Sequence, residues 1–293
     1  MGQNLIEATH LGKNVDYPQN YKPEVLVAVP RKLNREIYKI DENNLPFVGY
    51  DAWHAYEISF LTKKGLPVVG LIKLVYSSSS QFLVESKSLK LYLNSFNMEK
   101  FGNSQKEGIE LVISIIKNDL EKLLKTEVNI SFYSHNSKED KSDFDNYEIL
   151  EESQSVENIE FSFFSEDKSL IKTENKVGEI KIGSHLLRSN CKITNQPDWG
   201  SLFIHLEGDK IPTKESLLKY IISIRNENHF HEEICELIYI RLWEICSPKN
   251  LTVSCLYTRR GGIDICPTRS NNIDNLPPSQ IDHKSLTHKL LRQ

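Results

Sequence analysis

The order of periodic segments predicts an α+β protein made of two units of similar plan. Three observations support this. The first half runs through two stretches of alternating hydrophobicity, a long stretch of helical period, and a third alternating stretch. The second half repeats strands, helix and strand at similar length, although the two halves share no obvious identity. Between them, Ser137 to Asn146 is charged and aperiodic, which reads as a loop and a boundary. The expected division is an N-terminal arm over residues 1–50, a first unit over 51–145 and a second over 146–293.

The arm is polar and proline-bearing, with one short apolar run from Val25 to Val29, and reads as an extended segment packed against the body. Alternation from Tyr56 to Leu61 suits a strand, Lys63-Lys64-Gly65 a hairpin turn, and Val68 to Tyr76 the returning strand. The serines 77–80 form one loop. Ile109, Val112, Ile113, Ile116, Leu120, Leu123 and Leu124 make a single helical stripe, with Ser104 as N-cap. Val128 to Tyr133 alternates again. The second half restarts at Ile159 to Phe164 and continues as strands over Gly178 to Leu187 and Ser201 to Leu206. Asn195, Pro197 and Gly200 lie between those strands and turn the chain. Thr213 caps a helix bearing Leu217, Leu218, Ile221 and Ile222, and a second helix starts near His231. Glu232 and Glu233 fall in its first turn, where the helix dipole favours negative charge. Leu251 to Tyr257 closes as a strand before Arg259-Arg260-Gly261-Gly262.

A chain of 293 residues suits two compact domains, and its net charge of −4 argues against a broad nucleic-acid surface. Five cysteines without a C-x-x-C pair do not form a disulfide framework. The first residues hold no apolar stretch suited to a signal peptide, and Ile6 stands where myristoylation needs Ser or Thr. No run reaches membrane-spanning length, and a reducing cytoplasm fits best. Among His229, His231, Cys235, Cys246, Cys255 and Cys266, no two have a familiar zinc spacing, so no metal is expected.

Cys191 stands on a turn with Asp198 seven residues on, close enough to share a cleft. A thiol near its ordinary pKa is only slightly ionised at neutral pH and needs local help to react; the plainer reading is a small buried side chain. The recognition comes from longer strings. CKITNQPDWGSL from Cys191, ESKSLKLYLNSF from Glu85, and FHE from Phe230 followed by YTRRGG resemble, in that order, the motifs of the NADPH-dependent 7-cyano-7-deazaguanine reductases. These are the nitrile reductases of queuosine biosynthesis. The resemblance spans about Asp51 to Ser270.

That resemblance implies two fused tunnelling-fold units, each an antiparallel β-sheet backed by helices, and a homodimer. It implies that Cys191 adds to the nitrile as a covalent thioimide and that Asp198 protonates the nitrogen. It gives Phe230 and Glu232 to the flat heterocycle, as stacking face and carboxylate, and His231 to its reacting end. The plainer alternative for Phe230 to Glu232 is a helix start. The resemblance also gives Val84, Glu85 and Ser86 to substrate, and Ser86, Lys87, Arg260 and Gly261 to NADPH. On spacing alone, Glu85 to Lys90 reads as an exposed strand edge and RRGG as a hairpin. With Arg260 as a phosphate anchor only, its loss would raise the NADPH KM and little else. No G-x-G-x-x-G follows a strand, so a Rossmann site is not expected.

Two other readings compete. Cysteine, glutamate and lysine also make the active set of nitrile hydrolases, and Cys191, Glu85 and Lys87 supply those types. A purine- or pterin-binding module of the same fold would leave Cys191 inert.

Overall fold

Two long hairpins carry the sheet in the computed structural model, which describes residues 17–152 and 156–293. The first joins β2 (Val48–Leu61) to β3 (Pro67–Ser77); the second joins β7 (Thr173–Cys191) to β8 (Pro197–Pro212). Around them run β1 (Ala28–Pro30), α1 (Lys32–Ile37), β4 (Phe82–Val84), α2 (Ser86–Asn94), α3 (Gln105–Leu124), β5 (Val128–Tyr133) and β6 (Glu148–Ile149). Then come α4 (Lys214–Ser223), β9 (Asn228–His229), α5 (His231–Cys246), β10 (Asn250–Tyr257), β11 (Ile263–Ser270) and α6 (Pro278–Ile281).

The sheet order is β5-β3-β2-β11-β10-β8-β7-β6. Each half contributes an antiparallel ladder backed by helices, as the resemblance implies, and β11 pairs with β2 to fuse the two into one sheet. The stripe of α3 buries Val112, Ile116, Leu120 and Leu124 against one half, and α5 buries Ile234, Leu237, Ile238 and Leu242 against the other. Ser104 and Thr213 cap their helices, each accepting a backbone N–H three residues on, which removes one unsatisfied donor at each start.

Several expectations are corrected. Strand β2 begins at Val48, not Tyr56, because Tyr50 to Ala55 pair with both β3 and β11, and two ladders hold polar Asp51 and His54 inside a strand. Ile159 to Phe164 forms no strand. Pro197, Asp198 and Gly200 belong to β8 rather than to the turn, which is confined to residues 192–196 with Asn195 at φ +56°. Glu85 to Lys90 is no strand edge, since Glu85 caps α2. In the arm, residues 1–16 lie outside the described residues, while the rest forms β1 and α1 rather than one extended segment. Buried Arg31 and Arg35 hold it down, donating to Asp51 and to Glu236 respectively.

Candidate active site

The β7–β8 turn places the thiol. Cys191 N–H donates to Gln196 O at 2.8 Å and Asn195 N–H to Cys191 O at 3.0 Å, which closes the hairpin tightly. Cys191 also pairs in parallel with His229 of β9, so the chain leaves that bridge directly into Phe230, His231 and Glu232 at the start of α5. This one bridge brings two segments 38 residues apart in sequence, Cys191 and His229, to the same cleft.

The two glutamates of α5 divide their work. Glu233 Oε2 accepts from Phe230 N–H at 3.1 Å and lies 3.1 Å from His229 Nδ1, and Glu233 Oε1 accepts from Lys192 Nζ at 3.3 Å. The dipole-facing role therefore falls to Glu233. Glu232 is buried, and its Oε1 has no hydrogen-bond partner among the described residues. Burial pushes its carboxyl up to about 8, with the Asp51 carboxylate adding to the effect.

Asp198 stands between two bases. Its Oδ1 is 2.7 Å from Arg260 Nη1 and its Oδ2 3.4 Å from His231 Nε2. The His231 ring stacks on Tyr257 with centroids 3.9 Å apart. Across the cleft, β1 pairs with β4, and Glu85 N–H donates to Val27 O at 2.9 Å. The Glu85 carboxylate accepts from Ser88 N–H at 2.6 Å and so starts α2.

Nine of the residues expected at the site line one cleft of about 420 Å³: Val84, Glu85, Ser86, Cys191, Asp198, Phe230, His231, Glu232 and Arg260. Lys87 and Gly261 line a neighbouring cleft of about 910 Å³ that shares Ser86, His231 and Arg260 with the first. Gly261 has φ +59°, a left-handed conformation that favours glycine. With Lys87, Lys90 and Arg260 on its wall, this second cleft suits a ligand bearing several phosphates. Lys87 does not line the cleft that holds Cys191 and Glu85, so the cysteine, glutamate and lysine of a nitrile hydrolase are not assembled together.

The sequence reading missed Val29, Trp53, His229 and Lys90. The first three line the thiol's cleft, and Lys90 lines the basic one. Lys90 was within reach, because it follows Lys87 by three residues and would share its face had α2 been read as a helix. Val29 and Trp53 carry no local signal of a site. On the other face of the sheet, His54, Asp264 and Cys266 have ligand-type atoms within 4.8 Å of one another. The Lys289 ammonium sits among them, 2.9 Å from His54 Nδ1 and 3.0 Å from Asp264 Oδ2.

Comparison with known proteins agrees with the motifs. Residues 17–132 match the family described as nitrile reductase, 7-cyano-7-deazaguanine-reductase N-term, and residues 197–275 match the QueF-like protein family. An NADPH-dependent 7-cyano-7-deazaguanine reductase of Coxiella burnetii (strain Dugway 5J108-111) is 40% identical over 269 residues, covering 92% of this chain and 93% of its own. One of the same description from Legionella pneumophila (strain Corby) is 38% identical over 295 residues, covering 99% of this chain and 97% of its own. The crystal structure of the archaeosine synthase QueF-Like in the apo form aligns with 35% of this chain and 99% of its own, at 16% identity and a TM-score of 0.29.

Proposed function

The chain belongs to the NADPH-dependent 7-cyano-7-deazaguanine reductase family, and from that premise we propose how its residues divide the reaction. It is an oxidoreductase that uses NADPH to reduce the nitrile of 7-cyano-7-deazaguanine to an aminomethyl group, a step of queuosine biosynthesis. The observation that supports the division best is the convergence of Cys191, Asp198 and Glu232 in one cleft that opens onto a basic one.

Glu232 accepts from the amino-pyrimidine donors, Phe230 stacks on the ring, and the Val84 to Ser86 segment holds the opposite edge. Cys191 sulfur passes its proton to Asp198 and bonds to the nitrile carbon, the π pair moves to nitrogen, and Asp198 returns that proton there, giving a thioimide. NADPH, when bound, supplies hydride, and two equivalents with two protons balance nitrile to amine. Covalent capture retains the half-reduced species in the cleft. Ser86, Lys87, Arg260 and Gly261 hold the dinucleotide, with Lys90 beside them.

The expected division into an arm, a unit over 51–145 and a unit over 146–293 fits this reading, with substrate held by both units. A homodimer acting on the free base rather than on nucleic acid, in the cytoplasm, completes the proposal; the five free cysteines suit a reducing compartment. No helix among the described residues is long and apolar enough to cross a membrane.

The test mixes protein, nitrile and NADPH and follows absorbance of the reduced nicotinamide. Two NADPH consumed per aminomethyl product supports the reading. Ammonia release without NADPH consumption supports a hydrolase, and binding without turnover supports a binding module.

A further inference from the structure

Trp53 lies in β2 with its side chain 1% exposed, packed in the core between Ile265 and Leu74, its partners in the neighbouring strands. It also lines the cleft that holds Cys191 and Glu232. Its indole N–H is buried and has no hydrogen-bond partner among the described residues. An indole nitrogen can only donate, and a buried donor without an acceptor is costly, whereas phenylalanine would fill a core slot without that cost. Glu232 Oε1, an acceptor, is left without a partner in the same cleft. The empty cleft thus offers one unanswered donor and one unanswered acceptor, both on rigid elements.

A guanine-type ring presents donor, donor and acceptor in a row: the 2-amino group, the N1 hydrogen and the ring carbonyl oxygen. Once Glu232 accepts from the two donors, the next group along that edge is the carbonyl, which needs a donor. We propose that Trp53 is a specificity-determining residue whose indole N–H donates to the ring carbonyl of the substrate. The inference rests on the reading of the cleft as a 7-cyano-7-deazaguanine site. The pair then discriminates against any ring lacking either function, since the unmatched protein group would stay buried and unpaired. A neighbouring adenine-type ring, which places an amino group where the carbonyl stands, would face the indole donor with another donor.

The experiment is calorimetric binding to Cys191→Ala protein, so that no adduct forms, with and without Trp53→Phe. Two ligands are compared: 7-cyano-7-deazaguanine and its thione, which keeps the N1 hydrogen but puts a weakly accepting sulfur in place of the carbonyl oxygen. With Trp53 present, the thione should bind about tenfold more weakly; in Trp53→Phe the two should bind within about twofold of each other. Trp53→Phe should leave NADPH affinity unchanged. A residue serving only the core would leave the ratio of the two ligands alone, whatever the smaller ring costs in packing. If Trp53→Phe does not fold, equal binding of both ligands to the tryptophan-bearing protein still overturns the inference. No binding of either nitrile to that protein overturns the reading of the site, and this inference with it.

Discussion

Arg260 Nη1 stands 2.7 Å from Asp198 Oδ1, so the guanidinium expected at the cofactor also holds the carboxyl expected at the nitrile. Arg260 lines both clefts, and no other described cation contacts Asp198 as closely. A residue that only anchored phosphate would affect NADPH binding alone. Arg260→Ala should raise the NADPH KM about tenfold and also lower kcat about tenfold, because Asp198 loses its fixed position. Steady-state kinetics at saturating nitrile decide it. An unchanged kcat would return Arg260 to phosphate binding alone.

The Asp198→Asn variant tests the proton delivery. Asn still accepts from Arg260 but cannot deliver a proton. The nitrile adduct should form more slowly than in the parent, and the rate of NADPH oxidation should fall by ~10²–10⁴. Thermal stability, measured alongside, should stay close to that of the parent. A loss below about tenfold would count against proton donation.

Glu232 gives binding a pH dependence. Burial lifts its carboxyl to about 8, so in the free protein it is protonated through neutral pH. In the unfolded chain the same group ionises at about 4.3. Its contribution to stability is therefore full below that value and is lost as pH rises through about 8. The nitrile, offering donors, demands the carboxylate, so binding should expel about one proton. Affinity should rise as pH climbs from about 6 toward 8, by up to about tenfold per unit, and then level off. Glu232→Gln should bind more than about tenfold more weakly and show no such slope, since an amide cannot accept with both arms. Calorimetry in two buffers of different ionisation enthalpy reads the proton directly. A Glu serving only as a helix start would leave affinity and slope untouched.

Much of the helical framework was legible, and the reason is local. The stripes of α3 and α4 each bury one face, so period alone located them, and Ser104 and Thr213 marked their starts, whereas α5 is buried on every side from Glu232 to Ile240. The centre of the sheet was not. Asp51 in β2 and Arg269 in β11 are fully buried yet fall outside the strands expected from alternation, and Arg269 Nη1 is 2.8 Å from Asp51 Oδ1 across 218 residues. Glu236 completes the group by accepting from Arg35 and Arg269, each at 2.9 Å or less. No window of sequence shows a charge whose partner is two hundred residues away. The site divides in the same manner. Cys191, Asp198 and the Phe230 to Glu232 run were legible because they sit in strings that resemble a family. Trp53 and Val29 reach the cleft only through strand pairing, so nothing in their own neighbourhood announces them.

The sheet face opposite the cleft supplies a prediction on stability. Lys73 is buried, and its Nζ donates to Ser279 O at 2.5 Å, Asp282 O at 2.9 Å, Ser285 O at 2.8 Å and Thr287 Oγ1 at 2.8 Å. One ammonium thus gathers the segment from Ser279 to Thr287 onto β3. Lys73→Met should cost about 1–3 kcal/mol by chemical denaturation and expose that segment to limited proteolysis. An intact C-terminal segment under protease, with unchanged stability, would show that the ammonium is not what holds it.

In the proposed mechanism Cys191 captures the nitrile covalently before any reduction, and intact-protein mass spectrometry after mixing with 7-cyano-7-deazaguanine alone reads that step. The parent protein should gain the mass of one nitrile molecule, Cys191→Ala should gain none, and the adduct should be lost as the amine appears once NADPH is added. An adduct on Cys191→Ala, or NADPH-dependent amine formation by that variant at the parent rate, would contradict it.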